Sequence, residues 1–179
     1  MIRLAQFEDY CLSKLLINQL QLIDDETGNS DLILQEIEIL EGKASDLSST
    51  KIPTQYKHLP LKGLWHKHFF MPEFIVKNLC LHLGIDRTNS NVSNIINQVF
   101  DSSNSDVITE DMVMNLVYEL TEGGMKKRAD EQKLTGEWII YAKYEGKNYY
   151  LTLALHDEDD NVIHKRIIDH CKPEFPFLF

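Results

Sequence analysis

Residues 137–156 read EWIIYAKYEGKNYYLTLALH, and their pattern decides what kind of fold the chain takes. Two runs rich in Ile, Tyr, Leu and Thr flank Gly146-Lys147, the composition of two strands joined by a tight turn. A leading glycine favours a type II′ turn centred on Gly146 and Lys147, which sets Glu145 opposite Asn148 and Tyr144 opposite Tyr149. Counting outward, Trp138, Ile140, Ala142 and Tyr144 share a face with Leu155, Leu153, Leu151 and Tyr149. That face is almost wholly apolar and is expected to point into the core.

The opposite face pairs Lys143 with Tyr150, Tyr141 with Thr152, Ile139 with Ala154 and Glu137 with His156. It carries a cation, two phenols, a hydroxyl, a carboxylate and an imidazole. Such a set can orient a phosphodiester and move a proton from a ribose 2′-hydroxyl without a metal. Imidazole titrates near neutrality, and an ammonium offsets the charge that develops on the phosphate. A sheet with one solvated face selects the same residue types, so both readings stay open.

A third strand is expected over 162–168, after the acidic turn DEDDN, Asp157 to Asn161. Upstream the pattern is helical. Apolar residues from Leu4 to Leu22 recur at helical spacing and predict a long helix over 4–23, stopped by DDETGN. Ser30 or Asp31 caps a second helix running to Gly42, with Leu32, Ile33, Ile37 and Leu40 inward and Glu36, Glu38 and Glu41 outward. The Ser/Thr-rich run from Lys43 to Tyr56 reads as a surface loop.

Pro72 suits the first turn of a helix that ends at Gly84, and a short helix is expected over 91–100. Thr109 caps a further helix that stops at Gly123-Gly124, its buried stripe being Met112, Val113, Leu116, Val117 and Leu120. The basic run MKKR, Met125 to Arg128, reads as a solvated loop. The expectation is an α+β protein with N-terminal helices packed on a small C-terminal antiparallel sheet. It forms a single domain over 1–179, with a helical half (1–124) and a β-rich part (134–179).

The 18 Lys and Arg against 28 Asp and Glu, a formal charge of −10, argue against broad electrostatic gripping of nucleic acid. Glu8 and Asp9 interrupt the first apolar run, so no leader peptide or membrane segment is read, and a cytoplasmic protein is expected. Three cysteines without a CxxC pair, Cys11, Cys80 and Cys171, suit reduced thiols.

In GLWHKHFF, Gly63 to Phe70, an extended chain puts His66 and His68 on one face and Trp65, Lys67 and Phe69 on the other. The pair reads as part of a metal site with His58 or His156, as an acid/base pair facing the hairpin, or as structural histidines at a wet boundary. DEDDN does not make a calcium loop, because Val162 stands where the loop glycine belongs. No glycine-rich phosphate loop, nucleophile elbow or H-E-x-x-H helix occurs, and no cofactor is expected.

With His66 and His68 upstream and TGEWIIYAKYEGKNYYLTLALHD downstream, the C-terminal part resembles the barnase, EndoU, colicin and RelE-type group of small metal-independent ribonuclease toxins. The resemblance covers about a third of the chain. It implies RNA as partner and cleavage by 2′-hydroxyl attack, with His66, His68 and His156 as acid and base, Lys143 on the phosphate, and Thr152 or Tyr141 hydrogen-bonded to it. The acidic charge and long helical half depart from that group.

They suit instead an acidic inhibitor or immunity protein that masks a basic partner through its Glu-rich second helix and the DEDDN turn. A third reading is an oligomer whose aromatic tail, KPEFPFLF, inserts into a neighbour, against the same tail packing back on its own sheet.

Overall fold

The structure, a computed structural model, describes residues 9–44, 48–85, 91–100 and 107–179. They fall into two compact units, one of residues 1–71 with 135–179 and one of residues 72–134. The fold is mixed α+β, but helices and strands are interspersed along the chain rather than divided into an N-terminal helical half and a C-terminal sheet.

The first unit is built on a five-stranded sheet in the order β1-β5-β4-β3-β2. The strands are β1 (Cys11–Leu12), β2 (Thr54–Gln55), β3 (Trp65–His68), β4 (Trp138–Tyr144) and β5 (Lys147–Ala154). All neighbours are antiparallel except β1, which runs parallel to β5. Cys11 and Leu12 are thus strand, not part of a helix over 4–23, whose residues 4–8 lie outside the described residues. Helix α1 (Lys14–Thr27) begins only after Ser13. The Ser13 hydroxyl accepts from Leu16 N at 3.0 Å and donates to Leu151 O at 2.6 Å, so one residue caps the helix and ties it to β5. Gly28 ends α1 in the left-handed conformation, φ 70°, and α2 (Ser30–Leu40) follows.

The hairpin exists, but its register is not the one that a Gly146-Lys147 turn gives. Glu145 (φ 47°) and Gly146 (φ 78°) are the two central residues, and Tyr144 pairs with Lys147. Positive φ at both positions makes this a type I′ turn, whose twist matches the strands as well as a type II′ turn does. Lys143 therefore faces Asn148 and Tyr141 faces Tyr150, while a bulge after Ile140 sets Ile140 opposite Thr152 and Trp138 opposite Ala154.

Both faces of the sheet are covered. On the face of Trp138, Ile140, Ala142 and Tyr149 lies helix α7 (Asp160–Cys171), through Ile163, Ile167 and Cys171. This helix occupies the place of the expected third strand. Asp159 caps it by accepting from Asn161 N at 2.7 Å, and the spacing of its three buried residues is that of one helical face. The aromatic tail packs back on the same face, Phe175 and Phe177 lying 5.3 and 5.2 Å from the Tyr149 ring. On the other face, α2 meets the sheet through two carboxylates, Glu36 to Lys67 and Glu41 to Tyr150.

The second unit is helical: α3 (Ile75–Leu83) after a 3-10 turn at Pro72–Phe74, then α4 (Val92–Val99), α5 (Glu110–Leu120) and α6 (Glu122–Asp130). Thr109 caps α5 by accepting from Met112 N at 3.3 Å. Gly123 and Gly124 do not stop a helix as expected; they lie inside α6, together with the basic run read as a loop. A Cβ on Gly124 would come within 2.5 Å of the His82 ring, and one on Gly123 within 2.9 Å of Tyr118, so these glycines admit two rings against the helix. Ile95 and Leu134 are buried here, whereas Val113 and Val117 of the expected core stripe are exposed, with Met114 and Tyr118 beside them.

Candidate functional site

Strand alternation places His66 and His68 on one sheet face, opposite Ile140 and Trp138 of β4. His156 follows the end of β5, where Ala154 pairs with the same Trp138. Its ring lies 4.8 Å from the Trp138 ring and 5.9 Å from that of His68. His66 lies 5.0 Å from Trp138, 5.8 Å from His68 and 4.8 Å from Tyr56. Three imidazoles, an indole and a phenol thus form one ring cluster within the first unit. It grades from buried His68 through half-buried His66 to exposed His156.

The hydrogen-bonding capacity of this cluster is largely unspent. His68 Nδ1 is 3.1 Å from Gly136 O. His66 Nδ1, Trp138 Nε1 and Tyr56 Oη are buried and have no hydrogen-bond partner among the described residues. Native proteins leave few such atoms, and each calls for an explanation such as strain, a catalytic role or a bound water or ion. Burial pushes His66 down to about 4, helped by the positive charges of His156 and Lys51. His68 is likewise held at about 4, first by burial and also by Lys51, His66 and His156, against the opposing hydrogen bond to Gly136. Groups that suppress one another's positive charge gain affinity for protons once an anion enters among them. The Glu137 carboxylate accepts from His156 N and so fixes the strand end.

The other residues read as a site go elsewhere. Tyr141 is fully buried on the opposite face, its ring 5.6 Å from Tyr150 and its hydroxyl pushed up to about 12 by burial and by the Glu41 charge. Lys143, on that same face, is exposed and stacks its ammonium 4.2 Å over Trp65. Thr152 is fully buried, and its hydroxyl is 3.0 Å from Gln19 Oε1 and 2.9 Å from Leu153 O. Gln19 also takes the bond from Leu153 N at 2.8 Å, standing in for a neighbouring strand where β1 has ended. The convergence of Lys143, Tyr141, Thr152 and His156 on one polar face is therefore corrected: the I′ turn and the bulge redistribute them.

The structure assembles His66, His68 and His156 instead, and adds Trp138 and Tyr56. Trp138 was legible as a face-sharing partner of Ile140, but it reads as core until β3 is paired with β4. Tyr56 carries no periodic signal. Among the described residues no group of three or more His, Cys, Asp or Glu is placed to hold a metal ion. No helix of the described residues is long and apolar enough to cross a membrane.

No protein-family model, curated protein or solved structure matches the chain.

Proposed function

We propose that the chain is a metal-independent ribonuclease whose site is the imidazole cluster rather than the polar face of the hairpin. The observation that carries this reading is the gathering of His66, His68 and His156 around Trp138, with the Lys51 charge acting on the two inner rings. A phosphodiester entering the cluster brings negative charge to Lys51 and the imidazoles and raises the proton affinity of His66 toward a working range. His66 takes the proton of the ribose 2′-hydroxyl. The oxygen attacks phosphorus, and exposed His156 donates a proton to the departing 5′-oxygen, which leaves a 2′,3′-cyclic phosphate and a free 5′-hydroxyl. Trp138 offers its ring and its unused N-H to the substrate. The test is incubation of full-length protein with single-stranded RNA in excess chelator, beside His66→Ala and His156→Ala. Cleavage to cyclic-phosphate ends, lost in both variants, supports the reading; intact RNA with folded wild-type protein defeats it.

A second reading, an acidic protein that masks a basic partner, draws support from the second unit. Helix α5 exposes Val113, Met114, Val117 and Tyr118 in one stripe, entered by exposed Glu110 and Asp111, in a chain of net charge −10. Salt-sensitive capture of a basic protein, abolished by Met114→Glu, would favour it. Retained capture by that variant would remove this surface from consideration.

A further inference from the structure

The second unit contains an open cavity of about 340 Å³, to which helices α3, α4, α5 and α6 all contribute. His82 comes from α3, Asn94, Asn97 and Gln98 from α4, Glu119 from α5 and Lys127 from α6. Asn91, Asn94 and Gln98 are spaced as neighbours on one helical face, with buried Ile95 among them. Asn94 Nδ2 donates to Asn91 Oδ1 at 3.4 Å, and Asn91 Nδ2 donates to His82 O at 3.2 Å, so the amide row is tied to the end of α3.

The wall carries two features that cost stability and that packing alone does not require. Gly124 lies inside α6, where glycine is a poor helix former, and its missing side chain admits the His82 ring: a Cβ there would lie 2.5 Å from Cδ2 and 2.8 Å from Nε2. His82 Nε2 is then buried with no hydrogen-bond partner among the described residues. An apolar side chain in that space would leave no polar atom to satisfy. Glu119 and Lys127 line the same cavity, and neither enters an ion pair among the described residues.

We propose that this cavity binds a free α-amino acid with a hydrogen-bonding side chain. Its opposite poles, Lys127 and Glu119, match an α-carboxylate and an α-ammonium, and a ligand of single charge would leave one of them unmatched. Side-chain amides both donate and accept, so Asn97 and Gln98 suit a carboxamide or hydroxyl on the ligand, and His82 Nε2 takes one further bond. The volume is at the small end for ligand sites. Among the described residues no aromatic ring lines the cavity, which removes the platform on which a nucleobase would stack. The site lies within the second unit and is independent of the ribonuclease reading.

The test is isothermal titration of full-length protein with L-glutamine, L-asparagine and L-serine, and with the N-acetyl and α-amide derivatives of L-glutamine. L-Glutamine is expected to bind with a Kd below about 1 mM, and each derivative, lacking one charge, about tenfold more weakly. Lys127→Met should weaken L-glutamine by about tenfold and erase its advantage over the α-amide, and Glu119→Gln should do the same against the N-acetyl form. Lys127 is exposed and Glu119 half-buried, so both variants are expected to fold, which circular dichroism verifies. Wild-type protein that binds none of the three amino acids at about 10 mM holds only water there and overturns the proposal. Equal binding of L-glutamine and its derivatives, or unchanged selectivity in the folded variants, overturns it as well.

Discussion

The two faces of the sheet carry similar residues and use them in opposite ways. On the α2 side the polar groups are mostly consumed: Lys67 by Glu36 and three oxygens, Tyr150 and Asn148 by Glu41 at 2.6 and 2.9 Å. Among the described residues the Tyr141 hydroxyl is an exception there. On the α7 side, His66, Trp138 and Tyr56 keep ring or hydroxyl atoms without partners among the described residues, beside exposed His156. A satisfied polar network specifies structure, whereas buried polar atoms without partners call for an explanation such as a catalytic role or a bound water or ion. The contrast shows why residue type alone does not separate the two faces of the sheet.

The largest expected effect tests the satisfied face. Lys67→Ala leaves Glu36 buried without its cation and is expected to cost about 3–5 kcal/mol, read as a lowered urea midpoint. A loss below about 1 kcal/mol would mean that the network is not the rigid side of the comparison. Next, Tyr150→Phe removes one bond to the Glu41 carboxylate and should cost about 1.5–3 kcal/mol in the same assay, with no change in RNA cleavage.

The unsatisfied face is tested by pH. His66 and His68 are held at about 4, below the ordinary 6.5, so the unfolded chain binds protons first as pH falls. Stability is therefore full above about 6.5, declines from there to about 4, and levels below. Each imidazole contributes at most about 1.4 kcal/mol per pH unit, reduced for half-buried His66 by solvent. Chemical denaturation across that window checks it, and His68→Gln should flatten the slope; an unchanged slope would show that His68 titrates normally. The smallest effect is expected for Lys143→Ala. Loss of its stacking on Trp65 should cost no more than about 1 kcal/mol and leave cleavage intact, and a cleavage defect would return the site to the hairpin's other face.

The hairpin was legible because alternation with a period of two survives any choice of turn. Its register was not. Glu145 with positive φ moved the turn by one residue, and one bulge then reversed the neighbours of Thr152. That His66 and His68 share a face followed from alternation alone. Their meeting with His156 depends on the pairing of β3 with β4, strands far apart in sequence, and no local pattern encodes it. Val162 to Ile168 read as strand because Val and Ile favour sheets, and the Asp159 cap and the spacing of Ile163, Ile167 and Cys171 outweighed that preference. The glycines of α6 misled for the converse reason: they make room for rings instead of ending a helix.

The path of the chain between β3 and β4 has one more consequence. Phe69 N donates to Glu137 O at 3.0 Å, so the point where the chain leaves the sheet and the point where it returns are hydrogen-bonded neighbours. Residues 72–134 are therefore spliced into what is otherwise a plain antiparallel connection. Insertions with adjoining ends place little demand on the host, because a short loop can close the same gap. The helical unit is in this sense a cassette, its two ends lying where the chain leaves and re-enters the sheet.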